Sequence, residues 1–137
     1  MSEKTFVLTV VTPESRVFQD SVNMVIVRTT EGDIGVLAGH TPLVAPLEIA
    51  PMTIKIGDNE RKAAVNGGFV EVTPDHMTIL AESAEMAEQI DVDRAEAARS
   101  RAEERLAQHQ GDVDFARAQA ALQRALVRLQ VAGRDQG

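Results

Sequence analysis

Two different periodicities divide the chain near residue 86. Before that point, short β-branched and apolar runs alternate with turn sequences, which is typical of strands. The composition of Gly57-Asp58-Asn59 predicts one hairpin, and that of Thr73-Pro74-Asp75 predicts another. No βαβ alternation is present, so the many short strands indicate a β-sandwich or barrel. Three further strands are predicted from the runs TFVLTVV (5–11), RVFQDSV (16–22) and MVIVRTT (24–30).

After Ile90 the apolar residues recur with the period of an α-helix. In the first predicted helix, Ala95, Ala98, Ala102 and Leu106 share one face. Gly111-Asp112 interrupts the pattern, and Asp112 is suited to cap a second helix. The predicted apolar stripe of that helix is Phe115, Ala118, Leu122, Leu126 and Leu129.

These elements predict a β-sandwich over residues 1–86 and an antiparallel two-helix hairpin over residues 90–137. An alanine face permits close approach of the helices but buries little area, about 1 kcal/mol or less per alanine. A hairpin held this weakly is able to open.

Charge is unevenly distributed along the 137 residues. Residues 1–89 carry 13 acidic and 6 basic side chains, for a net charge of −7, whereas residues 90–137 carry 8 of each. All eight cations of the second part are arginine. The acidic balance argues against nucleic acid as a partner. The chain has no cysteine, no signal-peptide pattern and no apolar run of membrane-spanning length, so we expect a protein that is itself soluble and cytoplasmic.

Motifs of catalysis and metal binding are missing. No glycine precedes a lysine, which excludes a Walker A loop, and no G-x-S-x-G elbow occurs. His40, His76 and His109 lack the spacing of metal ligands, so no metal site is expected. His40 has the context of a turn residue. The sequence therefore predicts a protein that is not an enzyme.

Two features of the helical part have both a structural and a functional interpretation. Arg94, Arg101 and Arg105 fall within about 40° on the first helix, bordering the alanine face. The second helix carries Arg117, Arg124 and Arg128 along one side, roughly opposite its leucine stripe. The structural interpretation is a solvated face, whereas the functional one is phosphate binding by guanidinium groups. Asp91, in the stretch IDVDRA, is by itself best explained as a helix N-cap.

The order and spacing of several segments resemble the epsilon subunit of bacterial F-type ATP synthases. The strongest is GDIGVLAGHTPLVAPLEI at 32–49. Agreement extends over essentially the whole chain through VVTPE at 10–14, NGGFVEV at 66–72, TILAE at 78–82 and GDVDFARAQAAL at 111–122.

This resemblance implies a non-catalytic regulatory subunit. It implies a sandwich that binds the gamma subunit and the c-ring, and a hairpin that restrains ATP hydrolysis when it extends toward the alpha and beta catalytic subunits. Membrane attachment would come only through the complex, as a peripheral protein at the cytoplasmic face of the cell membrane. The c-ring and gamma contacts of the family fall on Thr12, Asp33 and His40.

The resemblance also implies ATP as a regulatory ligand, with or without Mg²⁺, bound by the folded hairpin. The family pattern I/L-D-x-x-R-A is present at residues 90–95. Met86 departs from the basic residue of some ATP-binding relatives, and Asp93 adds a negative charge. Implied nucleotide-binding residues are Glu85, Ile90, Asp91, Arg94, Ala95, Arg101, Arg124 and Arg128.

Two alternatives stay open. One is the same rotor subunit without ATP sensing, whose helices are purely inhibitory or structural. Otherwise the chain is a free-standing β-sandwich adaptor with a helical tail, which would not co-purify with ATP synthase subunits.

Overall fold

The residues that the structure describes form eight strands followed by two long helices, in the strand-then-helix order that the two periodicities predict. The computed structural model describes residues 4–108 and 112–133, with the backbone alone at 112 and 113. The predicted turn residue Gly111 and His109 lie outside the described residues, as does the side chain of Asp112. The strands are β1 (Phe6–Val11), β2 (Arg16–Val22), β3 (Met24–Thr29), β4 (Gly32–Leu37), β5 (Leu43–Ile56), β6 (Asn59–Val72), β7 (His76–Ala81) and β8 (Ala84–Met86). A short 3₁₀ helix (Ala87–Gln89) leads to α1 (Val92–Gln108) and α2 (Asp112–Val131).

All eight strands belong to one hydrogen-bonded sheet that folds over a shared core. The order is β2-β1-β7-β6-β5-β3-β4, and β8 pairs with β6 beside β7. Only β1 and β7 run parallel; the other pairs are antiparallel. Alternate residues of the strands point inward, so that the sandwich is confirmed. The largest fully buried side chains of its core are Leu8, Met52, Ile54, Met77 and Ile79.

The segment Asn66-Gly67-Gly68 divides β6 between two partners. Residues 63–65 pair with β8 and residues 68–72 pair with β7. Asn66 is 2% exposed and donates from Nδ2 to Ser83 Oγ at 2.7 Å, between β7 and β8. Gly68 has a φ of 117°, and a Cβ there would lie 2.1 Å from the Leu80 carbonyl oxygen. Only glycine allows this close approach of the two strands.

The helical hairpin lies on the outside of the sandwich. α2 packs against β5 and β6 on one side and against α1 on the other. Ala95 and Ala102 of α1 are buried, which confirms the alanine face, and Ala118 and Leu129 of α2 are buried as the stripe predicts. Leu122 and Leu126 are only half-buried.

A small apolar cluster separate from the sandwich core joins α2 to the sheet domain. We call it the seam cluster, and its buried members are Ala64, Ile90, Val127 and Val131. Ala64 comes from β6, Ile90 from the segment before α1, and the two valines from the end of α2. The C-terminal half of α2 therefore anchors the hairpin.

Candidate functional site

Asp91 fixes the beginning of α1. Its Oδ1 accepts a hydrogen bond from the Arg94 backbone N–H at 3.1 Å, and its carbonyl accepts one from the Ala95 N–H at 3.0 Å. These contacts confirm the predicted N-cap, which satisfies N–H groups that have no partner within the helix. The cap holds Arg94 and Ala95 at the first turn, facing α2.

Glu85 reaches the same region from the sandwich. It is the middle residue of β8, where it pairs in register with Ala64 of β6. Its Oε1 accepts a hydrogen bond from Nε of Arg128 at 2.5 Å. Both side chains are about one quarter to one third exposed, so this ion pair links the end of α2 to the strand domain in a half-buried place.

A cavity of about 420 Å³ opens between α1, α2 and β8. Its volume lies within the range of small-molecule sites. Alanine side chains from both helices line its apolar part, and arginine side chains surround it. The lining residues are Glu85, Asp91, Arg94, Ala95, Ala98, Arg101, Ala102, Arg105, Ala121, Arg124 and Arg128.

The charge of this cavity is strongly positive. Five guanidinium groups face two carboxylates, and both carboxylates are engaged, one in the helix cap and one with Arg128. Arg94, Arg101, Arg105 and Arg124 form no ion pair with any carboxylate among the side chains that the structure describes. Four unpaired guanidinium groups around one cavity suit a multivalent anion, because their forked donors match phosphate oxygens.

The cavity brings together seven of the eight residues implied for nucleotide binding. The exception is Ile90, which is 9% exposed and belongs to the seam cluster instead. Arg105 and three alanines were not among the predicted site residues, although the sequence placed Arg105 in the same stripe as Arg94 and Arg101. Arg124 and Arg128 are half-buried and line the cavity together with residues of α1, so these two side chains do not lie on a fully solvated face.

The three residues implied for c-ring and gamma contact lie elsewhere on the sandwich. Thr12 follows β1 and lines an apolar groove with exposed Phe69 and Leu80. Asp33, on β4, accepts a hydrogen bond from Arg28 Nε at 2.9 Å. His40 follows β4, with its Nδ1 2.6 Å from the Thr41 carbonyl oxygen. Neither Asp33 nor His40 lines the groove beside Thr12.

Hydrogen bonds outside the cavity lower the pKa values of two carboxyl groups. A hydrogen bond to His76 is the main cause that holds the pKa of Asp75 below its usual value. Hydrogen bonding to its own backbone, and then to Arg61, lowers the pKa of Glu88. Arg61 lies 5.3 Å from the centre of the Phe18 ring and pairs with Glu88, so it ties the 3₁₀ helix to the sandwich just before α1.

Within residues 4–108 and 114–133, the structure contains no group of three or more side chains suited to hold a metal ion. No helix in the part of the chain that the structure describes is both long and apolar enough to cross a membrane.

Comparison with known proteins covers nearly the whole chain. Residues 5–87 match the family described as ATP synthase, Delta/Epsilon chain, beta-sandwich domain, and residues 88–133 match its long alpha-helix domain. The chain is 52% identical to the ATP synthase epsilon chain of Halalkalibacterium halodurans over 126 residues, which are 91% of this chain and 95% of that one. It is 50% identical to the epsilon chain of Bacillus pumilus over 131 residues, or 96% and 99% of the two chains.

Solved structures of similar fold come from mitochondrial ATP synthases. A chain in the OSCP/F1/c-ring structure from Euglena gracilis has a TM-score of 0.78 and 25% identity, with 93% of this chain and 81% of that chain covered. A chain in the central stalk/c-ring structure from Tetrahymena thermophila has a TM-score of 0.63 at 12% identity, which shows the fold alone; the match covers 96% of this chain and 99% of that chain. The chain belongs to the ATP synthase delta/epsilon family, in which it is a rotor-associated, non-catalytic epsilon-type subunit.

Proposed function

We propose that this epsilon-type subunit senses ATP through its helical hairpin and restrains ATP hydrolysis when the hairpin opens. In this proposal residues 1–86 form the part that binds the gamma subunit and the c-ring. Residues 90–137 form the regulatory part that reaches the alpha and beta catalytic subunits. The subunit lies at the cytoplasmic face of the cell membrane and is held there only by the complex.

The observation that carries the proposal is the cationic cavity between both helices and β8. The negative charge of a nucleoside triphosphate is close in size to the positive charge of the four unpaired guanidinium groups. Its phosphates would contact Arg94, Arg101 and Arg124, from two different helices. Asp91 and Glu85 would lie around the adenine, whose amino group donates to carboxylate oxygens.

Bridging both helices couples binding to hairpin position. The cavity exists only while α1, α2 and β8 lie together, so a ligand that fills it stabilises the compact state and shifts the population toward it. Without the ligand, like charges across the cavity repel one another and favour opening. The released hairpin would then present Arg117, Arg124 and Arg128 to acidic surfaces of the catalytic subunits.

The sandwich supplies the contacts to the rotor in this proposal. Asp33 and His40 stand at the beginning of β4 and just after its end, and Thr12 lies beside exposed Phe69 and Leu80. Exposed large apolar side chains of this kind are typical of interaction surfaces. The Euglena chain of similar fold belongs to a structure that contains F1 and the c-ring, which supports the assignment.

Calorimetric titration of the full chain with ATP, with and without Mg²⁺, tests ligand binding. Arg94→Ala and Arg124→Ala should each weaken binding at least about tenfold, because each removes charge-assisted hydrogen bonds of about 1.5–3 kcal/mol. Arg16→Ala, at an exposed position on β2, is the matched control and should leave affinity unchanged. Unchanged affinity in both cavity variants would show that the cavity does not bind ATP.

Hydrolysis by the assembled complex tests the regulatory role. We expect a complex whose epsilon subunit lacks residues 90–137 to hydrolyse ATP faster at low ATP concentration than the complex with the full chain. Equal rates at every ATP concentration would exclude hydrolysis restraint by the hairpin. No ATP binding to the full chain, combined with restraint of hydrolysis, would identify the subunit without ATP sensing.

A further inference from the structure

We infer that the Glu85–Arg128 ion pair is a latch that holds the hairpin on the sandwich when no ligand is bound. The pair joins β8 to the last turn of α2, and its members are 43 residues apart in sequence. Among the described side chains it is the only ion pair between the hairpin and the strand domain. The inference concerns the ligand-free chain and goes beyond the proposed response to ATP.

The backbone that carries each partner is fixed by the packing of its neighbours, so pairing does not have to order it. Glu85 is fixed by the ladder between β8 and β6, flanked by buried Ala84 and Met86. Arg128 stands between Val127 and Leu129, which are 2% and 1% exposed. Exposed ion pairs contribute little mainly because two long side chains must be ordered and because water and salt screen them. Here the supporting residues are already ordered and the pair is half-buried.

The surroundings make the latch depend on Glu85 more than on Arg128. Removing the charge of Glu85 leaves Arg128 unpaired beside the other guanidinium groups of the cavity, which repel it. Removing the charge of Arg128 also breaks the pair but lowers that repulsion. An asymmetric effect of the two substitutions is therefore the signature of a latch in a cationic cavity.

The compact fraction of the full chain is measurable by energy transfer between two dyes. Because the chain has no cysteine, labels attach specifically to Asp58→Cys, in the β5–β6 turn, and Gln108→Cys, at the end of α1. Without nucleotide, Glu85→Gln should raise the ratio of open to compact chain about fivefold, the upper end for partly exposed ion pairs. Arg128→Gln should raise it less, and adding Arg128→Gln to Glu85→Gln should lower it below the value of Glu85→Gln alone.

Glu96→Gln is the matched control. It removes the Glu96–Arg99 pair, which lies wholly within α1, and should leave the ratio unchanged. The latch is refuted if Glu85→Gln leaves the ratio unchanged, or if the double variant is at least as open as Glu85→Gln. Far-UV circular dichroism of each variant verifies that the fold is intact. Because no nucleotide is present, these outcomes are independent of whether ATP binds in calorimetry.

Discussion

The seam cluster predicts that hairpin docking and sandwich stability respond to different substitutions. Val127 is 2% exposed and packs in this cluster, whereas the sandwich core does not include it. Val127→Ala removes two methyl groups, each worth about 0.8 kcal/mol when buried. The higher helix propensity of alanine offsets about 0.5 kcal/mol of the loss. The net cost to the docked state is therefore about 1 kcal/mol. Any cavity left by the missing methyl groups would add to this cost.

A cost of about 1 kcal/mol corresponds to roughly a fivefold rise in the ratio of open to compact chain. Energy transfer between dyes at positions 58 and 108 measures this ratio. Denaturant unfolding followed by β-sheet circular dichroism measures the sandwich separately. We expect Val127→Ala to raise the ratio of open to compact chain and to leave the unfolding midpoint of the sandwich nearly constant. The reason is that Val127 packs in the seam cluster and not in the sandwich core.

Val44→Ala provides the control for this experiment. It removes the same two methyl groups from a side chain that is 68% exposed on β5, so neither measurement should change appreciably. If Val127→Ala lowers the main unfolding midpoint in proportion to hairpin release, the helices and sandwich form one cooperative unit and the reasoning is wrong. An unchanged open-to-compact ratio would refute it equally.

Two further predictions concern the sandwich itself. Gly68→Ala should destabilise the fold by about 3 kcal/mol or more in denaturant unfolding, since the new Cβ clashes with the Leu80 carbonyl oxygen at a strained φ. Gly57→Ala, where the added Cβ meets no atom within 4 Å, should cost only about 1 kcal/mol; equal losses would contradict the clash. Carboxyl NMR titration should find the pKa of Asp75 below its usual value, and His76→Ala should raise it again. Because the folded pKa is depressed, this contribution to stability is present above the usual carboxylate pKa and is lost as pH falls through the lowered value. An Asp75 pKa that is the same in both proteins would exclude His76 as its cause.

The strand domain was predictable wherever turns and alternation coincide, and less so in β5. The hairpin turns at residues 57–58 and 73–75 lie where the sequence places them. No strand was predicted over residues 43–52, which contain Pro46 and Pro51, and proline lacks the N–H that a ladder needs. β5 includes both prolines, and Pro51 falls where the pairing between β3 and β5 is interrupted. A broken ladder tolerates the missing donor.

The helical part shows why one apolar stripe does not describe a helix with two partners. The predicted stripe of α2 captured Ala118 and Leu129 but missed the buried side chains Ala125, Val127 and Val131. α2 is covered by α1 on one side and by the sheet on the other, so its buried surface is wider than a single stripe. For the same reason helical periodicity alone left open whether Arg124 and Arg128 face solvent or a ligand site; only the family resemblance grouped them with Arg94. Ile90 is buried by contacts with residues that are distant in the sequence, among them Ala64 and Val127, and periodicity does not reveal such contacts.

In the proposed switch, a marginally docked hairpin and a positively charged cavity belong to one energetic requirement. A ligand at one hundred times its dissociation constant stabilises the state that binds it by about 2.7 kcal/mol. A hairpin docked through a large apolar interface would stay closed whatever the ligand does. Here the hairpin is held by alanine contacts, buried Leu129, a seam of four buried residues and one ion pair, and it is opposed by repulsion among guanidinium groups. Filling the cavity with larger apolar side chains would remove both the repulsion and the ligand site, and the proposed switch with them. In the proposed switch, the residues that would make the compact state marginal are therefore the same residues that would let an anion stabilise it.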